Sequence, residues 1–272
     1  MATIAFIGAG NMAEAIARGL LRTAMYQAAD LRASDPSPER QRLFQDDLGI
    51  ACVQENSAAV VDGADIVLLA VKPFVVGDAL QQIKGALRPE ALLISIAAGI
   101  STGFIEQSLA AAGGAGARVV RAMPNTPMLV GKGITAVCRG SAATERDLIA
   151  AERIFSSGGK TVRVAEASMD AVTAVSGSGP AYAFFLTEAL AQAGVAAGLT
   201  ELQAGQLARQ TVIGAAELLE QSKDTPAELR RKVTTPNGTT QAAIETLQAG
   251  GFVELMGRAI AAAAKRSKEL GK

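Results

Sequence analysis

The sequence predicts an α/β half on a parallel sheet, residues 1–165, followed by an all-helical half, residues 166–272. Three observations carry this prediction. Short apolar runs alternate with longer mixed segments through the first half, the signature of successive βα units. A glycine-rich turn joins the first of those runs to the first amphipathic stretch. From about Ser168 onward strand-like runs disappear and alanine-rich helical sequence takes over.

The expected strands are Thr3–Ile7, Leu31–Ser34, Ile66–Val71, Leu92–Ile96, Arg118–Arg121 and Ile134–Cys138, short runs set off by Gly, Pro, Asp or Ser. After the first strand, Met12–Arg22 sets Ala13, Ile16, Ala17 and Leu20 on one helical face. Farther on, Ser101 or Thr102 caps a helix carrying Phe104, Ile105 and Leu109, and Gly113-Gly114 reads as a flexible surface loop without function. In the second half the clearest period is Phe252, Leu255, Met256, Ala259, Ile260 and Ala263, with Glu254 and Arg258 paired on the outer face. Helices so rich in alanine have thin apolar faces, and roughly 100 residues of them are marginally stable alone. Association of two copies is the remedy, which predicts a homodimer through the C-terminal helices and leaves a higher oligomer of dimers open.

Composition narrows the function. Lys plus Arg and Asp plus Glu number 26 each, so no net positive field exists to hold nucleic acid or an anionic membrane, and neither is an expected partner. The opening run is too short to span a bilayer and nothing resembles a signal peptide, which predicts a cytoplasmic protein. Cys52 and Cys138 stand far apart in apolar surroundings and read as buried, inert thiols suited to a reducing compartment. The chain has no histidine, so proton transfer near neutral pH falls to a carboxylate, lysine, hydroxyl, water or the substrate itself. No metal site is expected.

The run Ile7-Gly8-Ala9-Gly10-Asn11-Met12-Ala13 gives G-x-G-x-x-A between a strand and a helix, the context of a dinucleotide-binding Rossmann fingerprint. Gly8 permits the tight turn, Gly10 lets the backbone approach a pyrophosphate, and the helix N-terminus offers amide donors. Asp35 ends the second strand, somewhat farther past the glycines than the usual ~20 residues, and reads as an acceptor for the adenosine ribose hydroxyls of NADH. Ser34, Ser37, Arg40 and Arg42 pull the other way, toward the 2′-phosphate of NADPH; a simple helix-starting turn is a further reading. The strand through Ala70-Val71 leaves at Lys72-Pro73, where the proline fixes an extended exit that holds Lys72 beside the cofactor, unless Lys72 is an ordinary surface lysine. Ala97, Ala98 and Gly99 are small enough to admit a nicotinamide ring, or to allow tight strand–helix packing.

These segments, with Met123-Pro124-Asn125-Thr126-Pro127, Ser176-Gly177-Ser178-Gly179-Pro180-Ala181-Tyr182 and Val233 to Thr240, together resemble the pyrroline-5-carboxylate reductase family along nearly the whole chain. The resemblance implies an α/β Rossmann domain with a C-terminal all-helical dimerisation domain and an active site completed across the subunit interface. It implies NADPH or NADH as cofactor and reduction of 1-pyrroline-5-carboxylate to L-proline. Asn56 is implied as an adenosine contact, Gly238, Thr239 and Thr240 as the loop that binds the substrate carboxylate and ring nitrogen, Glu166 as a substrate-side acid, and Ser176 as part of the same substrate set. Two residues depart from the pattern: Asp35 stands where many relatives place a small hydroxyl, and Lys232 where some place an amide.

The residues of that loop agree with the resemblance. Thr-Pro-Asn-Gly is a turn signal, and ahead of a helix its free amides form an anion cradle, although a helix cap alone would look the same. With no histidine, the expected chemistry has the imine arriving as its iminium while Thr240 hydrogen-bonds the nitrogen. Two rival readings share the glycine fingerprint: a β-hydroxyacid dehydrogenase, which would need a pocket lysine on the helical half, and a dinucleotide-binding sensor without turnover.

Overall fold

In the computed structural model, which describes residues 2–55, 58–110 and 116–271, the N-terminal half forms one sheet. Its strands are β1 (Ile4–Ile7), β2 (Leu31–Ser34), β3 (Ala51–Val53), β4 (Ile66–Leu69), β5 (Leu92–Ser95), β6 (Arg118–Met123), β7 (Gly133–Arg139) and β8 (Gly159–Arg163), in the order β3-β2-β1-β4-β5-β6-β7-β8. β1, β4 and β5 are buried at every residue, as expected for central strands covered on both faces. Alternation then divides the core. Ile4 and Phe6 point into the layer of Ile16, Leu20, Phe44 and Phe155, while Ala5 and Ile7 point into that of Val76, Leu80, Ile83 and Ile105.

The covering helices are α1 (Asn11–Arg22), α2 (Pro38–Arg42), α3 (Ala58–Val61), α4 (Val76–Ile83), α5 (Thr102–Ala110), α6 (Glu145–Ser156) and α7 (Met169–Val172). α1 buries Ala13, Ile16, Ala17 and Leu20, the face that periodicity selects. Ser101 caps α5 through its hydroxyl, 3.1 Å from the Phe104 amide.

The sheet departs from the sequence expectation in two ways. β7 runs antiparallel to β6. Residues 124–132 between them hold only a short 3-10 turn, Thr126–Val130, too little chain for the crossover that a parallel pair needs. The flanking strands β3 and β8 escape the apolar pattern because they lie at the sheet edges, where polar, half-exposed residues are normal.

The remaining helices are α8 (Gly179–Ala196), α9 (Glu201–Gln221), α10 (Pro226–Lys232), α11 (Thr239–Ala249) and α12 (Phe252–Leu270). The chain separates into two compact units: one runs to Ser178 and takes back the chain from Ala262 onward, and the other is Gly179–Ala261. Within the helical unit α8 and α9 are joined by a short turn, and a Cβ on Gly194 would come within 3.1 Å of the Ala204 Cβ, so a glycine permits the close approach. Thr200 and Thr225 start α9 and α10 with capping boxes to Gln203 and Glu228. No helix among the described residues is long and apolar enough to cross a membrane.

Candidate active site

The registers of β1 with β2 and β4 set Ile7 opposite Ser34 and Leu69, so the chain leaves all three strands at one level of the sheet. There, on either side of β1, the strand order reverses, the crevice in which such sheets bind ligands. Gly8 turns with φ +93°, and a Cβ on it would lie 2.7 Å from the Ala70 carbonyl oxygen. Its amide donates to the Ser34 carbonyl at 2.9 Å. Gly10 then caps α1 with no side-chain partner, and a Cβ there would meet nothing within 4 Å. The first-turn amides of α1, at exposed Asn11, half-buried Met12 and beyond, therefore face an open cradle at the positive end of a helix. Open space with unspent donors fits the pyrophosphate of a dinucleotide.

Two charged side chains hold this turn from the β2 side. The Asp35 carboxylate accepts from the Ala9 amide at 2.8 Å and from the Ser37 amide at 2.9 Å. Arg40 donates its Nε to the Ala9 carbonyl at 2.6 Å and an Nη to Glu14 at 2.8 Å. Burial alone would raise the Glu14 carboxyl, but the hydrogen bonds from Arg40 and Arg18 outweigh it and hold that carboxyl below its ordinary value. Ser34 is fully buried, its hydroxyl 3.5 Å from the Phe6 carbonyl, so its side chain belongs to the sheet layer rather than to a phosphate pocket. Asn56 lies outside the described residues, as does the Gly113-Gly114 loop.

Beyond β4, the Ala70 amide bonds to the Ile7 carbonyl at 2.8 Å, Val71 packs on the core, exposed Lys72 is extended and Pro73 opens a 3-10 turn. Beyond β5, Ala97 is buried and Gly99 takes φ +79°. A Cβ on Gly99 would lie 2.7 Å from the Ser267 carbonyl oxygen and 2.8 Å from the Gly271 nitrogen. Tight packing against the last turn of α12 thus accounts for the glycine, and Ser267 fixes that turn through a 2.7 Å bond to Asp170.

Glu166 is engaged by its own unit. Its carboxylate accepts from the Thr102 amide at 2.7 Å and hydroxyl at 2.6 Å, and it faces the buried Arg121 at 3.4 Å. It anchors the first turn of α5 to the strand layer. Arg121 was not singled out from the sequence, although a charge inside an otherwise apolar strand requires a buried partner. Ser176 donates its hydroxyl to the Val172 carbonyl at 3.0 Å, and its own carbonyl accepts from buried Asn125 at 3.1 Å. Asn125 also accepts the Ile134 amide at 2.9 Å, which ties two of the sequence motifs together.

In the helical unit, Asn237 adopts φ +59° and Gly238 caps α11 without a side-chain bond. A Cβ on Gly238 would fall 2.3 Å from the Thr235 hydroxyl and 3.0 Å from its carbonyl oxygen, so the turn is crowded at this position. The Asn237 amide is taken by Gln241 at 2.8 Å. The Thr239 and Thr240 amides, in the first turn of α11, have no acceptor within the helix. Exposed Thr239 and half-buried Thr240 carry hydroxyls on the same turn. Lys232, the departure noted above, pairs with Asp224 at 2.5 Å. Both cysteines are free and buried, and burial pushes their thiols up to about 11, which makes them inert near neutral pH.

Comparison with known proteins follows this geometry closely. Residues 166–270 match a family described as pyrroline-5-carboxylate reductase dimerisation, and residues 3–99 match NADP oxidoreductase, coenzyme F420-dependent. The chain is 45% identical to a pyrroline-5-carboxylate reductase of Pseudomonas aeruginosa over 98% of its own length and 96% of the relative's. Among solved structures, the reductase of Coxiella burnetii superposes with TM-score 0.91 at 37% identity, covering 100% and 99% of the two chains. That of Plasmodium falciparum, with NADP bound, gives 0.86 at 31%, covering 100% and 98%.

Proposed function

The chain belongs to the pyrroline-5-carboxylate reductase family, and from that premise we propose how its own residues reduce 1-pyrroline-5-carboxylate to L-proline. Bound NAD(P)H supplies the hydride that adds to C5 of the pyrroline ring. The Gly8–Ala9 turn would aim the first-turn amides of α1, beyond Gly10 at Asn11 and Met12, at the pyrophosphate, and the exits of β4 and β5, at Ala70–Pro73 and Ala97–Gly99, would line the nicotinamide site. The observation that carries this reading is the uncapped, open N-terminus of α1 directly behind a glycine that no larger residue could replace.

The substrate carboxylate is received by the free amides of Thr239 and Thr240 beyond the Gly238 cap. The ring nitrogen arrives protonated and donates to the Thr240 hydroxyl. As hydride adds to C5, the π pair of C=N becomes the nitrogen lone pair, and no separate general acid is required, consistent with a chain without histidine. Positioning and charge stabilisation then supply most of the rate, effects worth ~7 to 11 kcal/mol when orientation is good. Glu166 acts as a positioning residue through α5 and Arg121, and Ser176 through Asn125, rather than on the imine itself. The chain works as a homodimer through its helical unit, in the cytoplasm, where a reducing environment suits its two free thiols.

The test follows NADH and NADPH absorbance with pyrroline-5-carboxylate, then the oxidised cofactors with β-hydroxyacids. Reduction of the former and silence with the latter is expected; the reverse refutes the assignment. Thr240→Ala lowers kcat by one to three orders of magnitude, on the order of 1.4 to 4 kcal/mol, with dinucleotide affinity unchanged. Unaltered turnover removes Thr240 from the chemistry.

A further inference from the structure

We propose that this chain prefers NADH to NADPH, because Asp35 stands at the ribose end of the cradle as a fixed carboxylate while Arg40 is committed elsewhere. The inference rests on the dinucleotide reading above and deepens it.

In sheets of this kind an acid at the end of the second strand meets the ribose hydroxyls of a dinucleotide whose pyrophosphate lies on the first helix. Asp35 occupies that place with its backbone amide pinned to the Val53 carbonyl at 2.9 Å. Each carboxylate oxygen takes one backbone amide, Ala9 on one side and Ser37 on the other. A carboxylate oxygen has room for a second donor, so both remain able to accept a ribose hydroxyl. The bonds fix the carboxylate without consuming it.

A 2′-phosphate needs a cation there instead. Arg40 is the nearest basic residue of α2, but its side chain is only 18% exposed and bridges the Ala9 carbonyl and the Glu14 carboxylate. Arg42, two positions on, projects about 200° around the helix from Arg40. Ser34, the hydroxyl that could have received the phosphate, is fully buried. A phosphate dianion brought to this corner therefore meets the Asp35 carboxylate while the Arg40 guanidinium is held by the Ala9 carbonyl and Glu14, a like-charge contact that disfavours binding. The two holds share Ala9: one acid takes its amide, one base its carbonyl, so freeing Arg40 for a phosphate would also release the glycine turn.

The experiment is calorimetric titration of the full-length protein with NADH and with NADPH, without substrate, alongside kcat/KM for each. NADH is expected to bind at least tenfold more tightly. Asp35→Ser should weaken NADH about tenfold and tighten NADPH by a similar factor, reversing the preference. Asp35→Asn retains an acceptor for the Ala9 amide while removing the charge, so it should gain NADPH affinity with little change in Tm. Equal or tighter NADPH binding by the unmodified protein overturns the proposal, as does a ratio unmoved by both substitutions. NADPH preference with intact turnover leaves the reductase assignment standing, whereas failure of either dinucleotide to bind or be oxidised refutes both.

Discussion

The sheet unit and the helical unit solve the burial problem differently. Around the sheet, Ile4, Phe6, Ile16, Leu20, Leu68 and Phe155 are excluded from solvent, and each face of β1 finds its partner within the chain. In Gly179–Ala261, only Ala204 and Ala208 are buried among the described residues. Phe184, Phe185, Leu202 and Val253 are 69–72% exposed, and α8 buries nothing although it is predominantly apolar. A sheet closes its own core because alternate residues of one strand serve two layers. A few thin helices have too little surface to do so and leave a large apolar face uncovered, the mark of an interaction surface. A second copy of the same unit is the occupant we assign.

Three variants break or sharpen that contrast. Phe184→Asp with Phe185→Asp should have the largest effect: light scattering at micromolar concentration should report the mass of one chain, while the unmodified protein reports two. A monomeric unmodified protein would end the comparison. Leu20→Ala should act within the sheet unit alone, lowering denaturant stability by about 2 to 5 kcal/mol without altering the scattering mass. A change in oligomer size would show that the units are not independent.

Glu14→Gln should be the mildest. Because the folded Glu14 carboxyl is held below its ordinary value of 4.5, its contribution is full above that pH and is lost as pH falls through the lower folded value. The variant should therefore melt lower near pH 7, by an amount equivalent to about 1 kcal/mol, and match the unmodified protein in strong acid. A difference that persists in acid would assign the effect to packing instead of charge.

The strand runs, the glycine turn and the face of α1 were all legible in the sequence because each depends on contacts between near neighbours or on a strict period. Gly8 could be read for the same reason, since its left-handed turn demands glycine, while Gly238 was legible as part of a turn signal. The edge strands β3 and β8 and the reversal of β7 were not, since an edge strand needs no apolar pattern and strand direction depends on what the connection can span. Glu166 shows the limit most plainly. The family resemblance makes it a substrate-side acid, and only the fold shows that its carboxylate also binds Thr102, 64 residues away, and Arg121.

By itself the sequence determined the glycine-bearing strand–turn–helix, the helical second half and the threonine-bearing turn, because a few adjacent residues carry each one. Only the tertiary structure decided which polar groups were already taken. It gave the Ala9 amide to Asp35 and the Ala9 carbonyl to Arg40, and placed the end of α12 against Gly99. Such partners are distant along the chain, and a side chain's availability depends on who reaches it first in space.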